Sequence, residues 1–175
     1  MILGALLHGY IKGILFSPKV VAIAMLAGGL VILAVERFKP TPHLDNPYSL
    51  PIITSLQIGL FQCLSMIPGT SRSGATIVGA LLLGVERKAA TEFSFFLAIP
   101  TMFAATAYDL YKNRGTLSIS DVELILAGFV TAFLSALIVV RWLVGWVARH
   151  GFQPFAWYRI VVGLGMLVML RMALS

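Results

Sequence analysis

Ten residues, Ile67-Pro68-Gly69-Thr70-Ser71-Arg72-Ser73-Gly74-Ala75-Thr76, bring one arginine, four hydroxyls and two glycines together between long apolar runs. Those residue types suit one task, holding an anion with several oxygens. The Arg72 guanidinium is a planar fork that can bind two oxygens at once. Thr70, Ser71, Ser73 and Thr76 add hydroxyls, and Gly69 and Gly74 remove side chains where backbone must approach a ligand. A helix starting near Ser73 would aim its free N–H groups and positive dipole end at the same place. The segment is not a Walker loop, because no lysine follows the last glycine. On these residues alone a structural reading stays open. Hydroxyls beside Pro-Gly are ordinary helix caps, and Glu92 could neutralise Arg72 across a helix contact.

The surroundings raise the stakes for that arginine. Of 175 residues, 59% are hydrophobic and only 11% charged, against roughly 25% charged in soluble domains. This composition predicts an all-α, polytopic membrane bundle forming a single domain over residues 1–175, where an unpaired arginine at membrane depth is costly. The net charge of +6 suits loops facing anionic headgroups of membrane lipids. It does not indicate nucleic acid, since the basic residues are scattered and form no stripe. Cys63 is the only cysteine, which excludes an intramolecular disulfide and any cysteine-based metal site. His43 and Asp45, in a loop rich in proline, are expected to be solvated.

The elements that must position the motif follow from capping and breaker residues. Met1 to Phe16 lacks a basic start and is interrupted by His8 and Lys12. It reads as the tail of an incomplete helix rather than a cleavable signal. Ser17-Pro18 opens a span that Glu36-Arg37-Phe38-Lys39-Pro40 closes. Ile52 to Ile67 is marginal for a crossing, and Pro68-Gly69 stops it. A re-entrant or broken helix is therefore expected over about 52–72, which survives in a bilayer only where it lines a cavity. A helix from near Ser73 to Leu83, stopped at Gly84, should follow. Glu86 to Ala90 reads as a charged connection, Thr91 to Tyr108 as a span kinked at Pro100, and Tyr108 to Ser120 as a loop. Ser120-Asp121-Val122-Glu123 matches a capping box before a long helix, Val122 to Val147, with Arg141, Trp142 and Trp146 near its far end. After a loop from Arg149 to Phe155 comes the last span, anchored at the interface by Trp157, Tyr158 and Arg159, with Arg171 snorkelling near its end. Gln57 and Gln62 are expected to bond across helices. Basic residues are spread too evenly among the loops to set an orientation.

The run from Pro68 to Thr76, followed by Glu92-Phe93-Ser94-Phe95 and Ala98-Ile99-Pro100, resembles the bacitracin-resistance family of undecaprenyl-diphosphate phosphatases. The similarity extends over nearly the whole chain, including the opening Gly-rich segment and the stretch from Gln57 to Gln62. The resemblance implies hydrolysis of undecaprenyl diphosphate to undecaprenyl phosphate in a multi-pass protein of the bacterial inner membrane, recycling the cell-wall lipid carrier and conferring bacitracin resistance. Arg72 would clamp the diphosphate, with Ser71, Ser73 and Thr76 donating hydrogen bonds and Gly69, Thr70, Gly74 and Glu92 completing the substrate site. It also implies a divalent cation, Mg²⁺ or Ca²⁺.

The family carries two related halves in inverted arrangement. Its first half holds a Glu/Gln-xxx-Glu motif and a Pro-x-Ser-Ser-Thr-Gly-His segment, and neither occurs in this sequence. At the matching offsets before Pro68 stand Phe61 and Ser65, which can neither hold a metal nor move a proton at neutral pH. The expectation is a C-terminal portion, one half of an inverted-repeat architecture: a truncated product, a misassigned start or one half of a split protein. Such a chain would be weak or inactive without a separate N-terminal half or a second copy, because repeat architectures place their site at the repeat interface. Two other classes fit the same residues, a transporter of an anion or anionic lipid carrier and a structural subunit. The carboxylates for a cation would have to come from outside this chain.

Overall fold

Ser17 opens the first helix, α1 (Pro18–Phe38). Its hydroxyl accepts the Val20 N–H at 3.2 Å, and Pro18 sits at a helix start where its missing N–H costs nothing. The structure, a computed structural model, describes residues 17–114 and 119–174. The opening segment with His8 and Lys12 lies outside them, as do the side chains of Ser120 and Asp121 in the expected capping box. After α1 come α2 (Ile52–Gln62), prolonged by a 3₁₀ turn (Cys63–Met66), then α3 (Arg72–Leu82), α4 (Arg87–Asn113), α5 (Ile119–His150) and α6 (Gln153–Leu174). Among the described residues the β content is one isolated parallel bridge, Leu44 with Val85. It docks the loop before α2 onto the turn after α3, where Gly84 takes φ +78° and ends the helix as expected. His43 and Asp45 are exposed on that loop.

Four of the described helices are long and apolar enough to cross a membrane: Pro18–Phe38, Arg87–Asn113, Val122–His150 and Gln153–Ala173. The chain is thus an all-α, multi-pass membrane protein. Between the first two spans the chain is broken. Each of α2 and α3 has 11 residues, which reach about 16 Å, roughly half of a bilayer core.

Several helix ends differ from the sequence expectation. Glu86 to Ala90 is not a connection, because α4 already begins at Arg87, with Glu86 in the cap position. The helix passes through Pro100 and continues to Asn113, past the expected end at Tyr108. Likewise α5 reaches His150 and α6 begins at Gln153, leaving only Gly151 and Phe152 between them. Polar residues mark where a helix leaves the apolar layer, and the backbone can stay helical beyond that point because its hydrogen bonds are internal.

The largest helix pair is α1 with α6. Small residues let the two backbones approach: a Cβ on Gly29 would lie 2.7 Å from Ile160 Cγ1 and 2.8 Å from the Ala156 carbonyl, and one on Gly163 would lie 3.0 Å from the Ala22 carbonyl. Such close approach is how helices associate in lipid, where no hydrophobic gain separates one apolar surface from another. By contrast α5 exposes apolar side chains along its first two thirds, including Phe129, Phe133 and Ile138.

One polar cluster ties the helix ends together. The Glu36 side chain is 3% exposed. It accepts a two-pronged bond from Arg87 (Nη2 at 2.6 Å, Nε at 3.1 Å), a third from Lys39 Nζ at 3.1 Å, and the Phe152 backbone N–H at 2.9 Å. The end of α1, the start of α4 and the start of α6 thus meet on one carboxylate. Removing its charge would leave Arg87 without its counterion. Glu36→Gln is expected to destabilise the fold by roughly 3–5 kcal/mol, read as a lowered unfolding midpoint in detergent. An unchanged midpoint would show that the cluster does not hold the bundle.

Candidate functional site

The motif is built on a tight turn pressed against α1. Gly69 has φ +91°, and a Cβ there would lie 2.5 Å from the Val21 carbonyl oxygen, so both the dihedral and the space call for glycine. The Thr70 N–H closes the turn on the Ile67 carbonyl at 3.0 Å. Ser71 is extended (φ −66°, ψ 128°), and its hydroxyl accepts the Gly74 N–H at 3.1 Å, which makes it the N-cap of α3. The helix begins at Arg72, one residue before the expected start. Ser71 Oγ and Ser73 Oγ are 3.2 Å apart, so the two hydroxyls share one side of the helix end.

Arg72 and Ser73 are exposed. Among the described residues the guanidinium makes one hydrogen bond, Nη1 donating to Thr101 Oγ1 on α4 at 3.3 Å. The expected ion pair with Glu92 is not made among the described residues, whose ion pairs both fall on Glu36. The antiparallel register of α3 and α4 explains this. Thr76 meets Ser94, so Arg72, a turn earlier on α3, meets a residue later on α4. Thr101 lies about 13 Å further along that helix than Glu92. Glu92 itself lies beyond the first turn of α4.

Thr76 sits apart from the open hydroxyls. It is 1% exposed, 3.0 Å from the Ser73 carbonyl, 3.2 Å from the Arg72 carbonyl and 2.6 Å from Ser94 Oγ. A hydroxyl has one proton. Thr76 therefore gives it to its own helix and accepts that of Ser94, or gives it to Ser94. In either case it links α3 to α4.

Two cavities flank the Gly69–Gly74 segment, of about 260 Å³ and about 220 Å³. Ser71 and Gly74 line both, Ser73 and Ser94 the first, Thr70 the second; Arg72 lines neither. The charged residue in both linings is Arg159 on α6, read from sequence as an interfacial anchor. Its Nη2 donates to the Gly69 carbonyl at 2.9 Å and to the Ala24 carbonyl at 3.3 Å. Nothing in its local sequence marks this role, because an arginine after Trp-Tyr at a span end looks the same whether it snorkels outward or turns inward. Ser94 and Thr101 were missed for a similar reason: hydroxyls inside an apolar helix usually bond back to their own carbonyls, as Thr101 also does.

The residues before the motif are structural. The Phe61 ring packs where a Cβ on Gly79 would lie, 2.5 Å away, and Ser65 Oγ donates to the Gln62 carbonyl at 2.6 Å. The expected cross-helix bonds of Gln57 and Gln62 are not made among the described residues. Gln57 is exposed, and Gln62 Oε1 is buried with no partner. Among the described residues no three His, Cys, Asp or Glu side chains converge, so they do not fit a divalent-cation site by themselves.

Fold and site together define a multi-pass α-helical membrane protein with a polar turn and an arginine inside an apolar bundle. The sequence model of the family described as bacitracin resistance protein BacA matches residues 1–165, and the chain belongs to that family. Among its relatives, it is 55% identical over 170 residues to undecaprenyl-diphosphatase 1 of Mesorhizobium japonicum, covering 97% of this chain and 63% of that protein. It is 53% identical to undecaprenyl-diphosphatase 1 of Agrobacterium fabrum (97% and 64%) and 52% identical to the undecaprenyl-diphosphatase of Cereibacter sphaeroides strain ATCC 17025 (93% and 61%). The chain therefore spans just under two thirds of the length of these curated relatives.

The cap gives a direct check on this geometry. Ser71→Ala is expected to cost about 1 kcal/mol and Ser73→Ala less than about 0.5 kcal/mol, measured by unfolding in detergent. Amide exchange at Gly74 should quicken only in the Ser71 variant. Equal effects would place the cap elsewhere.

Proposed function

We propose that this chain supplies one half of an intramembrane site that hydrolyses undecaprenyl diphosphate to undecaprenyl phosphate and phosphate in the bacterial inner membrane. The observation that carries the reading is Arg72. It is an exposed cation in an apolar bundle, bonded among the described residues only to a hydroxyl, beside Ser71 and Ser73 at the N-terminus of α3. An arginine so placed needs an anion from outside the described residues. In the reaction, water adds to the terminal phosphorus and the anhydride P–O bond breaks. Negative charge then builds on the phosphoryl and leaving oxygens. Preorganised donors aimed at those oxygens are the main source of rate in such transfers. Arg72 supplies a two-pronged donor, Ser73 a hydroxyl, and the α3 end its dipole.

The proton acceptor and the carboxylates for a divalent cation, Mg²⁺ or Ca²⁺, come in this reading from a companion segment, an N-terminal half or a second copy. What supports this is that among the described residues no three His, Cys, Asp or Glu side chains converge. In this reading the chain is the second repeat of an inverted pair, and Arg72 faces the repeat interface.

The test is phosphate release from farnesyl diphosphate in detergent. The 175-residue chain would be compared with the chain co-produced with the N-terminal part of the Mesorhizobium relative, and with that pair carrying Arg72→Ala. The pair is expected to release phosphate, Arg72→Ala to lower kcat by about 100-fold or more, and the chain alone to be nearly inactive. Equal rates with and without Arg72 would overturn the reading, as would full turnover by the chain alone. An associated pair that binds the lipid without hydrolysis would instead indicate a carrier of anionic lipid.

A further inference from the structure

We propose that Arg159 is a second cationic ligand for the same anionic headgroup, reached from the cavity side of the Gly69–Gly74 turn. This deepens the phosphatase reading and rests on it. The guanidinium occupies a slot that the backbone leaves for it. A Cβ on Gly28 of α1 would lie 2.4 Å from Arg159 Nη2, so glycine there makes the room. Of the five N–H donors of an arginine, those on Nη2 reach the Gly69 and Ala24 carbonyls. Nε is enclosed and has no partner among the described residues. No carboxylate pairs with Arg159 there either, both ion pairs being centred on Glu36.

Carbonyl oxygens satisfy hydrogens but do not neutralise charge. A partly enclosed guanidinium with an orphaned N–H is therefore an expensive arrangement unless an anion completes it. The cavities say where that anion would sit. Among the described residues Arg159 is the one charged residue in the lining of either cavity, and both linings include Ser71 and Gly74. Their volumes, about 260 and 220 Å³, fall just below the roughly 300–1,000 Å³ of drug-sized ligand pockets. They suit a phosphoryl headgroup whose chain lies along apolar walls such as Phe95, Leu143 and Phe155. Arg72 reaches instead toward Thr101, outside both cavities. A diphosphate carries two phosphoryl groups, and two arginines meet the turn, Arg72 within it and Arg159 bonded to its Gly69 carbonyl.

The experiment uses the co-produced pair and farnesyl methylenediphosphonate, whose P–C–P linkage resists hydrolysis. Its dissociation constant and the KM and kcat for farnesyl diphosphate would be measured on monodisperse, folded fractions. Arg159→Met keeps the apolar stem and removes the charge. It is expected to weaken analogue binding and raise KM by about tenfold or more. Arg159→Lys should recover part of the loss, and Arg171→Met, a charge loss on the exposed far end of α6, should change neither. Should Arg159→Met fail to fold, Gly28→Ala displaces the guanidinium with the arginine retained, and the same loss of affinity is expected. Unchanged analogue affinity in folded Arg159→Met, or in Gly28→Ala if that is the variant available, would overturn the assignment while leaving the phosphatase reading intact. A wild-type pair that neither binds the analogue nor releases phosphate would overturn both.

Discussion

The carboxylate of Glu36 is the constraint on which the rest of the bundle depends. It is enclosed at the end of α1 and satisfied by Arg87, Lys39 and the Phe152 N–H. Those partners belong to three separate parts of the chain, so the charge can be satisfied only if α1, α4 and α6 end at the same level. In an apolar medium the penalty for failing to pair such a group is large. The cluster therefore fixes the vertical register of helices whose remaining contacts are mostly apolar and distinguish registers poorly, the bond from Arg159 to the Ala24 carbonyl being a polar exception. Glycine and alanine along α1 and α6 then set how closely the two helices lie.

The functional turn inherits its position from that register. Because α6 starts where Glu36 holds Phe152, Arg159 arrives beside Gly28 and reaches the Gly69 carbonyl. The turn in turn places Ser71 to cap α3, and the Thr76–Ser94 bond lays α3 against α4. Each step exchanges a buried polar group for a hydrogen bond, which in lipid is the strongest available means of specifying geometry. Neither Arg72 nor Arg159, the two arginines that this arrangement brings to the turn, meets a carboxylate among the described residues.

The contrast between Glu36 and the two arginines is informative. Arg87 is matched within the bundle, whereas Arg72 has a hydroxyl and Arg159 two carbonyls. The paired charge joins helix ends, whereas the two arginines at the turn have no carboxylate partner among the described residues. Hydroxyls divide in the same way. Thr76 and Ser94 are buried and joined to one another, while Ser73 stands exposed next to the capping Ser71.

The spans, the Ser17-Pro18 start, the break at Pro68-Gly69 and the motif itself were legible in the sequence. Each depends on local chemistry: apolar length, a capping hydroxyl, a residue that permits positive φ. Helix ends at Arg87, Asn113 and His150 were not legible, because the change from apolar to polar marks the edge of a membrane layer and not the end of internal hydrogen bonding. Partnerships were the other blind spot. Glu92 was a reasonable partner for Arg72 by composition, but the antiparallel register of α3 and α4 brings Thr101 instead. Glu36 and Arg159 looked like ordinary charges at span ends, and only packing made one the knot of the bundle and brought the other to the turn. The sequence by itself determined what each segment must be and which residue types could meet an anion, since those follow from neighbours a few positions away. The tertiary structure alone decided which of those residues meet, because contact between helices depends on register and rotation, and these are set by a few long-range polar contacts that no local pattern encodes.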